Sequence, residues 1–598
     1  MTRTLEGPAA ATVPQASGYR APVTDIMAAL ELAGLRELLA LDDFSHLDAA
    51  LVEHVLAEFG RFAAEVLLPV DAAGDKEGSR LAPATGEVGT PPGFGAAYRR
   101  YVEAGWGALQ FPERFGGGGF PSVIGLALQE IFASANMALS LNPVLTQGAI
   151  ELLLNWGSEG QQTTYLPAML TGRWSGTMEL TEPDAGSDLS EVKAAARCRP
   201  DGTWALSGTK IFITWGEHDL AENIVHLVLA RAPGAPAGTK GLSLFLVPKF
   251  LPGTAPSSPG RRNSLRCLRL EEKLGIHASP TCVMEYDDAD AELVGPLHGG
   301  LRAMFTMMNQ ARLSIGVEGP AISERSYQQA RAYASERLQG RRPGTGGRDR
   351  AAIAEHPDVA RMLLKMRAST LASRLLLYFT SASGDFARHG RNTAQRQRGQ
   401  AYLDLLTPVA KAWSTDLGFF MSSTGIQVYG GAGYLEETGM AQRLRDIRIA
   451  PIYEGTNGIQ AIDLVVRKVS RHGGASVRAL LEEISATIEA TQAKELAPTA
   501  ELLTEARHAL STATAWVLER AEECPDDVLA GAAAYLELVA VTTGGWLMAR
   551  RACAVGRADG RFGVAAGESN FFAIDAVAHA GALLRQVKAG AQHLSFLQ

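Results

Sequence analysis

The sequence predicts a mainly α-helical protein with a compact β domain in its middle. Three observations support this fold class: helical periodicity up to residue 172, short alternating or β-branched segments between 173 and 298, and helical periodicity again to the C-terminus. We therefore divide the chain into an N-terminal arm (1–40), a helical domain (41–172), a β domain (173–298), a helical bundle (299–468) and a further helical domain (469–598).

The periodicity is clearest in a few segments. Val52, Val55, Leu56 and Phe59 share one helical face. The predicted strands cover residues 204–206, 224–230, 241–247 and 282–286. Strands do not alternate with helices in a βαβ pattern, which argues against a Rossmann fold.

Composition narrows the function classes. The chain has 598 residues, 46% of them hydrophobic and 20% charged, with a formal net charge of −8, so we expect a globular protein that does not bind nucleic acid. Five cysteines without a C-x-x-C pair argue against a disulfide scaffold and suit the cytoplasm. The apolar stretch 528–548 contains Glu537, whose insertion would cost about 2.5–3.5 kcal/mol, so we expect no membrane span.

Two segments of the β domain have residue types that suit a polar or planar ligand. Met178–Asp188 reads MELTEPDAGSD, a loop with hydroxyls, a proline turn and Gly186, which permits close backbone approach. A plain surface turn is the alternative. Lys210–Thr214 reads KIFIT, and it places the Phe212 ring and the Thr214 hydroxyl on one strand face. An ordinary core strand is the alternative.

Two segments of the bundle are also candidates. Gln427–Gly433 reads QVYGGAG and exposes backbone N–H groups, although a helix end followed by a turn explains it equally well. Ile452–Gly458 reads IYEGTNG, in which Glu454 precedes a glycine turn. Partial desolvation would raise the pKa of Glu454 toward neutrality, as a general base requires, whereas most loop glutamates are simply solvated.

Two arginines could hold an anion, and no metal site is evident. Arg312 lies in NQAR (309–312) and Arg337 in ERLQG (336–340), although both could be ordinary surface arginines of helices. The histidines show no metal-ligand spacing, so we predict no metal.

Taken together, these segments resemble the acyl-CoA dehydrogenase family in order and spacing over about residues 50–468. The closest resemblance is to its larger branch with an added C-terminal helical domain, which includes 3-methylmercaptopropionyl-CoA dehydrogenases. Stretches such as EEKLGIHASPT (271–281) and GAGYLEETGMAQRLRDIRIAPIYEGTNGIQAIDLV (431–465) are similar to this branch. The resemblance implies a helical N-terminal domain, a β-barrel-like middle domain, a four-helix bundle and an additional helical domain.

The resemblance also implies a reaction. An FAD-dependent enzyme would dehydrogenate an acyl-CoA thioester at its α,β bond, with Glu454 removing the α-proton and the β-hydride going to flavin N5. The Glu454 backbone N–H would help polarise the thioester oxygen. Electrons would pass to an electron-transfer flavoprotein. The chain would form a homo-oligomer, with a dimer favoured.

The resemblance assigns further roles residue by residue. FAD contacts are expected from Met178, Leu180, Thr181, Gly186, Ser187, Phe212, Ile213, Thr214, Arg337, Gln339, Gln427, Gly430, Gly431, Gly455, Thr456 and Asn457. Arg337, Gln339 and the 427–431 segment would reach the FAD of a neighbouring subunit. Substrate contacts are expected from Ser187, Asn309, Arg312 and Gly455.

Three positions deserve comparison with the family pattern. Phe212 replaces the usual tryptophan, and Asn309 replaces a frequent aspartate. Some members place the base immediately before the arginine, but that position is Ala311 here, so Glu454 is the only candidate base. An acyl-CoA oxidase of the same fold, or a non-catalytic flavin-binding nucleic-acid or scaffold protein, are the alternatives.

Overall fold

The computed structural model describes residues 18–255, 257–342, 350–491, 494–555 and 560–594. The N-terminal part is helical, apart from a small hairpin. Its elements are α1 (Val23–Leu32), α2 (Leu35–Leu39), α3 (Ala49–Phe62), α4 (Asp71–Glu77), β1 (Arg80–Ala82), β2 (Glu87–Gly89), α5 (Phe94–Glu103), α6 (Ser122–Ala135), α7 (Met137–Trp156) and α8 (Glu159–Leu170). Asp48 caps α3 by accepting from the Leu51 N–H, and a capping box of Ser158 and Gln161 starts α8.

The segment predicted as an N-terminal arm (1–40) is described from residue 18 onward. Residues 1–17 lie outside the described residues. Residues 23–39 form α1 and α2, and Ile26, Leu30 and Leu35 are fully buried. The apolar residues of these short helices pack into the main core, so this segment does not extend away from the protein.

The middle part is a small barrel. Its strands are β3 (Trp174–Glu179), β4 (Ala195–Cys198), β5 (Trp204–Thr214), β6 (Asn223–Arg231), β7 (Leu242–Pro248), β8 (Phe250–Pro252), β9 (Pro259–Arg262), β10 (Leu265–Leu270) and β11 (Thr281–Val294). The pairings β4–β5, β5–β11, β11–β7, β7–β6 and β6–β4 close a ring, with β3 and β10 at its flanks. Leu206, Val228, Phe245 and Met284 fill its interior. The β-barrel-like middle domain is therefore confirmed.

The next part is a helical bundle. It contains α9 (Gly300–Gly316), α10 (Glu318–Glu336), α11 (Pro357–His389), α12 (Thr393–Tyr429), α13 (Met440–Ile447) and α14 (Asn457–Asp463). The long helices α9 to α12 pack against one another. A loop of the β domain docks on this bundle, because the Ile276 N–H donates to Asp446 Oδ1 of α13 at 2.5 Å.

The additional helical domain covers the bundle. Its helices are α15 (Ala475–Ala490), α16 (Ala497–Arg520), α17 (Pro525–Val555), α18 (Phe562–Asp575) and α19 (Ala580–Ala589). Trp546 of α17 meets the Phe379 ring of α11 edge-on at 5.4 Å between centroids, and Phe572 of α18 meets Trp413 of α12 at 6.2 Å. Aromatic contacts thus join this domain to both long helices of the bundle.

Within the described residues, two helices are long and apolar enough to cross a membrane, Met137–Trp156 and Pro525–Val555. The most apolar windows of these helices are 83% and 72% buried inside the protein. Core helices of soluble proteins meet the same criterion, so both are weak evidence for a membrane span.

One buried ionic cluster ties the N-terminal helices to the bundle. Arg374 of α11 donates through Nε to Glu130 Oε1 of α6 at 2.7 Å and through Nη2 to Glu324 Oε2 of α10 at 3.1 Å. The Tyr378 hydroxyl donates to Glu130 Oε2 at 2.8 Å. All of these groups are nearly inaccessible to solvent, so the carboxylates depend on Arg374 for compensation.

We expect Arg374→Met to lower the free energy of unfolding by about 3–5 kcal/mol, because it leaves two carboxylates buried without a cation. Denaturant unfolding of wild type and variant measures the difference. Arg361→Met is the matched control, since Arg361 pairs with Asp358 at an exposed position of the same helix, and it should change stability by less than about 1 kcal/mol. Equal effects of the two substitutions would contradict the role of the cluster.

Candidate active site

The Glu454 loop connects α13 to α14 and has an unusual backbone. Glu454 has φ +56° and Gly455 has φ +84°, so two consecutive residues adopt the left-handed region. This region suits glycine but strains a glutamate. The Thr456 side chain caps α14 by accepting from the Ile459 N–H at 3.2 Å, and the Asn457 N–H donates to the Pro451 carbonyl at 3.0 Å. These bonds hold the turn closed.

A buried lysine of α12, Lys411, also hydrogen-bonds to this loop. Lys411 Nζ donates to the Gly455 carbonyl at 2.9 Å and to Asn457 Oδ1 at 3.0 Å. Asn457 Nδ2 donates in turn to the Ala412 carbonyl at 3.0 Å. Gln460 Nε2 donates to the carbonyl oxygens of Glu454 and Gly455, each at 3.3 Å. Three side-chain donors, those of Lys411, Asn457 and Gln460, therefore fix the turn that carries Glu454.

The carboxylate of Glu454 itself has no such partner. Among the described residues, no group donates a hydrogen bond to it, and its backbone N–H has no acceptor. Burial raises the pKa of Glu454 to about 7, against the opposing effects of the Lys411 and Arg312 cations. Burial also lowers the pKa of Lys411 to about 8. Glu454 thus has the ionisation that a general base needs near neutral pH.

A second carboxyl lies behind the loop. The Tyr453 hydroxyl contacts both oxygens of Glu318 on α10, at 2.7 and 2.6 Å. Glu318 is fully buried, and this burial raises its pKa to about 8. Tyr453 holds Glu318 by its hydroxyl, so Glu454, whose carboxylate is unpartnered among the described residues, is the better placed of the two for proton transfer.

The candidate substrate residues of α9 lie beside Glu454, but they differ in exposure. Arg312 is buried, and its Nη1 lies 3.4 Å from both Asp463 Oδ2 of α14 and Asn309 Oδ1. Burial lowers the pKa of Arg312, while the Asp463 and Glu454 charges raise it. Asn309 is exposed. Ala311 is buried in the core and has no ionisable side chain, so this position supplies no alternative base.

The loop after β3 is anchored at its ends and open at its tip. Lys210 Nζ donates to the Leu180 carbonyl at 3.0 Å, and the Ile211 N–H donates to the Thr181 carbonyl at 3.0 Å. Met178 is buried at the end of β3, whereas Gly186 and Ser187 are exposed. The open tip offers backbone N–H groups and a hydroxyl to a ligand.

The Phe212 ring is presented by a bulge in β5. The register against β11 shifts between Ile213 and Lys210, and Phe212 has φ +59° with 59% of its surface exposed. Thr214 is half-buried two residues further along. Ile213 is buried in the barrel core, because neighbouring strand residues face opposite sides. Any contact of Ile213 with a ligand is therefore left to its backbone.

The remaining predicted residues form a separate group at the end of α12. Gln427, Gly430, Gly431, Arg337 and Gln339 are all exposed. The Tyr333 and Tyr429 rings stack at 4.1 Å between centroids and bring the ends of α10 and α12 together. Lys411 lies roughly 24 Å from Gln427 along α12, at 1.5 Å per residue. Within one chain this group is therefore remote from the Glu454 loop.

Sequence reasoning missed several residues of the site: Lys411, Glu318, Gln460 and Asp463. A lysine within the apolar run TPVAKAW was the one available signal, since an unpaired lysine is rarely buried. No group of three or more His, Cys, Asp or Glu side chains is arranged to hold a metal in the part of the chain that the structure describes.

Family comparisons cover nearly the whole chain. Residues 52–173 match "Acyl-CoA dehydrogenase, N-terminal domain", residues 177–289 the middle domain and residues 298–469 the C-terminal domain of the same family. Residues 480–597 match "Acetyl-CoA dehydrogenase C-terminal like". The chain belongs to the acyl-CoA dehydrogenase family. It is an FAD-dependent oxidoreductase that dehydrogenates acyl-CoA.

Individual relatives support the same conclusion. The chain is 47% identical to 3-methylmercaptopropionyl-CoA dehydrogenase of Ruegeria pomeroyi, over 90% of this chain and 91% of the relative. It is 32% identical to the broad-specificity linear acyl-CoA dehydrogenase FadE5 of Mycobacterium tuberculosis, over 90% of each chain. Its fold is similar to that of Caenorhabditis elegans ACDH-11 in complex with C11-CoA, with a TM-score of 0.80, 21% identity and coverage of 96% and 94%.

The exposed groups fit FAD. A planar ring could stack on the exposed face of Phe212, which the bulge holds away from the barrel. No atom lies within 4 Å of where a Cβ on Gly430 or Gly431 would be, so their backbone is open to close approach by a polar ligand. Phe212 thus offers a surface for stacking, and the glycines offer open backbone. Both features suit a dinucleotide with an aromatic ring system, such as FAD.

Burial of Glu454 makes stability depend on pH. Its folded pKa of about 7 lies above the ordinary value of 4.5, so the unfolded chain releases this proton first and stability falls as pH rises from about 4.5 to 7. We expect Glu454→Gln to be more stable than wild type at pH 8, by about 1–3 kcal/mol, and to lose that advantage at pH 4.5. Melting curves across this range measure it. The exposed Glu437→Gln control should show no such dependence, and a constant difference for Glu454→Gln would contradict the assignment.

Proposed function

We propose that Glu454 removes the α-proton of an acyl-CoA thioester in an α,β-dehydrogenation to the 2-enoyl-CoA. The observation that carries this proposal is a carboxylate with a pKa near 7, without a hydrogen-bond donor among the described residues, on a turn fixed by Lys411, Asn457 and Gln460. A base whose own position is fixed, and whose oxygens are uncommitted, is suited to abstract a weakly acidic proton.

The neighbouring groups support this chemistry. The Glu454 N–H, which finds no acceptor in the described residues, would donate to the thioester oxygen and make the α-proton more acidic. Arg312 would keep Glu454 ionised and, with Asn309, Ser187 and Gly455, meet the thioester arm. Lys411 would prevent the turn from moving when Glu454 gains its proton.

We assign FAD to the two exposed groups of residues. Met178, Leu180, Thr181, Gly186, Ser187, Phe212, Thr214, the backbone of Ile213 and the segment Gly455–Asn457 would hold its ring end. When bound, the flavin accepts the hydride that leaves the β-carbon. Gln427, Gly430, Gly431, Arg337 and Gln339 would contact the FAD of a neighbouring subunit. They lie where the ends of α12 and α10 meet, too far from Lys411 to complete the Glu454 site of their own chain.

This arrangement requires an oligomer, and we propose a homodimer. The additional domain covers faces of α11 and α12 with Trp546 and Phe572. Because these faces are already covered within one chain, we favour a dimer over a larger assembly. We also propose a cytoplasmic location, since the five cysteines are free thiols in the structure.

An electron-transfer flavoprotein is the proposed electron acceptor, and molecular oxygen is the alternative. The substrate proposal is a short acyl-CoA, because the relative with 47% identity is named for 3-methylmercaptopropionyl-CoA. The test is to mix the oxidised enzyme with single thioesters without oxygen and record the flavin band. Bleaching identifies substrates, and the reduced enzyme is then exposed to air. Slow reoxidation by oxygen would support the dehydrogenase, whereas reoxidation at the turnover rate would identify an oxidase.

We expect Glu454→Gln to slow thioester-dependent bleaching by about 10²–10⁴-fold, because the amide cannot accept the α-proton. The flavin spectrum and FAD content should match wild type, since the substitution leaves Phe212 and the glycine segment intact. Stopped-flow absorbance measures the rate. Bleaching at the wild-type rate would show that another group is the base.

We expect Lys411→Met to move the acidic limb of the kcat/KM profile from pH about 7 to higher pH. Loss of the Lys411 cation removes one of the two charges that lower the pKa of Glu454. A higher pH is therefore needed to ionise Glu454. The control is Lys468→Met, which removes a partly exposed lysine paired with Asp404. An unchanged limb in Lys411→Met, or an equal shift in the control, would contradict this role.

A further inference from the structure

A cavity lies between the N-terminal helices, the bundle and the additional domain. It has a volume of about 1040 Å³ and is bordered by residues of α1, α2, α11, α12, α17 and α18. Arg398 of α12 lines it, and Lys411, which holds the Glu454 loop, lies roughly 20 Å further along that helix at 1.5 Å per residue. The cavity is therefore distinct from the Glu454 site, and nothing in the proposed reaction uses it.

Arginines dominate the charged lining. The cavity is lined by Arg36, Arg367, Arg398, Arg550, Arg551 and Arg561, against the carboxylates Asp25, Glu31 and Glu37. Arg367 pairs with Asp25 at 2.5 and 2.8 Å and with Glu568 at 3.0 Å, and Arg551 shares Glu568 at 2.7 Å. These two arginines are compensated, and they form a rigid wall.

Arg550 differs from them. Its guanidinium lies 5.0 Å from the centre of the Trp546 ring and 6.0 Å from that of Phe379. Among the described residues, it has no hydrogen-bond acceptor and no carboxylate within ion-pair distance. Two aromatic rings thus position a half-buried cation whose planar set of N–H donors is uncommitted.

The charges around Arg550 do not replace a partner. Arg398 repels it, while Glu483 is already bonded to Arg398 and Glu37 is exposed on α2. Burial is the main cause that lowers the pKa of Arg550, and the Arg398 charge lowers it further. The Tyr402 and Phe379 rings supply apolar surface next to the two guanidinium groups. An anion with a flat or apolar part matches this lining.

We propose that this cavity binds a phosphate-bearing small molecule of nucleotide size, with Arg550 and Arg398 on its phosphates and Tyr402 and Phe379 against its apolar part. The volume is that of a ligand site, since such sites enclose about 300–1,000 Å³. Guanidinium groups recognise phosphate by paired N–H donors, which Arg550 has available. The ligand would join the additional domain to the bundle and to α1.

The test is calorimetric titration of the FAD-loaded enzyme with ATP and, separately, with inorganic pyrophosphate. We expect one ATP per chain, with affinity reduced about tenfold or more in Arg550→Gln and in Arg398→Gln. The matched control is Arg585→Gln, an exposed arginine on α19 of the same domain, which should bind ATP as wild type does. Pyrophosphate binding that is lost in the same variants would show that the phosphates alone suffice. ATP binding without pyrophosphate binding would show that the apolar part is also required, and both results support the site.

A second titration separates this cavity from the active site. ATP is added to the Glu454→Gln enzyme with and without saturating butyryl-pantetheine, a thioester that carries no phosphate, and the ATP affinity should be the same. No binding of either probe, equal binding by Arg550→Gln, Arg398→Gln and wild type, or displacement of ATP by butyryl-pantetheine would overturn the proposal. Because the readout is heat of binding, the result does not depend on whether the thioester is turned over.

Discussion

The geometry of the candidate site depends on holding one partly buried carboxylate without a hydrogen-bond donor among the described residues. Desolvation of Glu454 costs folding free energy, and its left-handed backbone adds strain. The opposing contribution comes from Lys411, a fully buried lysine whose own pKa is lowered by burial. Burial disfavours the charged forms of both Glu454 and Lys411, and each charge partly offsets this effect for the other. Lys411 satisfies the backbone of the turn by hydrogen bonds and Glu454 by charge, so one side chain of α12 serves both purposes.

A turn of this kind can stay fixed only if the helices around it do not shift. Buried polar contacts hold those helices together. Arg374 joins α6, α10 and α11 by ion pairs, and the Ile276 N–H joins the β domain to Asp446, just before the Glu454 loop, by a hydrogen bond. Separating either contact would be costly, because it would leave a buried charged or polar group without its partner. The barrel that presents Phe212 and the bundle that presents Glu454 are thereby held in one orientation.

Much of the fold could be predicted because its patterns are long: the helical, β and helical regions, four strands of the β domain and the candidate base Glu454 all follow from periodicity and motif. What could not be predicted depends on tertiary contacts. Lys411 reads as a surface residue until α12 is packed. Phe212 is exposed at a bulge that no local pattern signals. Arg312 reads as a surface arginine, whereas the structure buries it against Asp463.

The additional domain covers part of the surface of α11 and α12. One stretch of each helix meets an aromatic partner, as Trp546 packs on Phe379 and Phe572 on Trp413. Arginines of α17 and of the bundle line one cavity there instead of packing into a core. Like charges brought together in this way oppose docking of the domain unless anions compensate them. Asp25, Glu483 and Glu568 compensate Arg367, Arg398 and Arg551, whereas Arg550 has only the Trp546 and Phe379 rings beside it among the described residues, so the wall of the cavity keeps one cation without an anion.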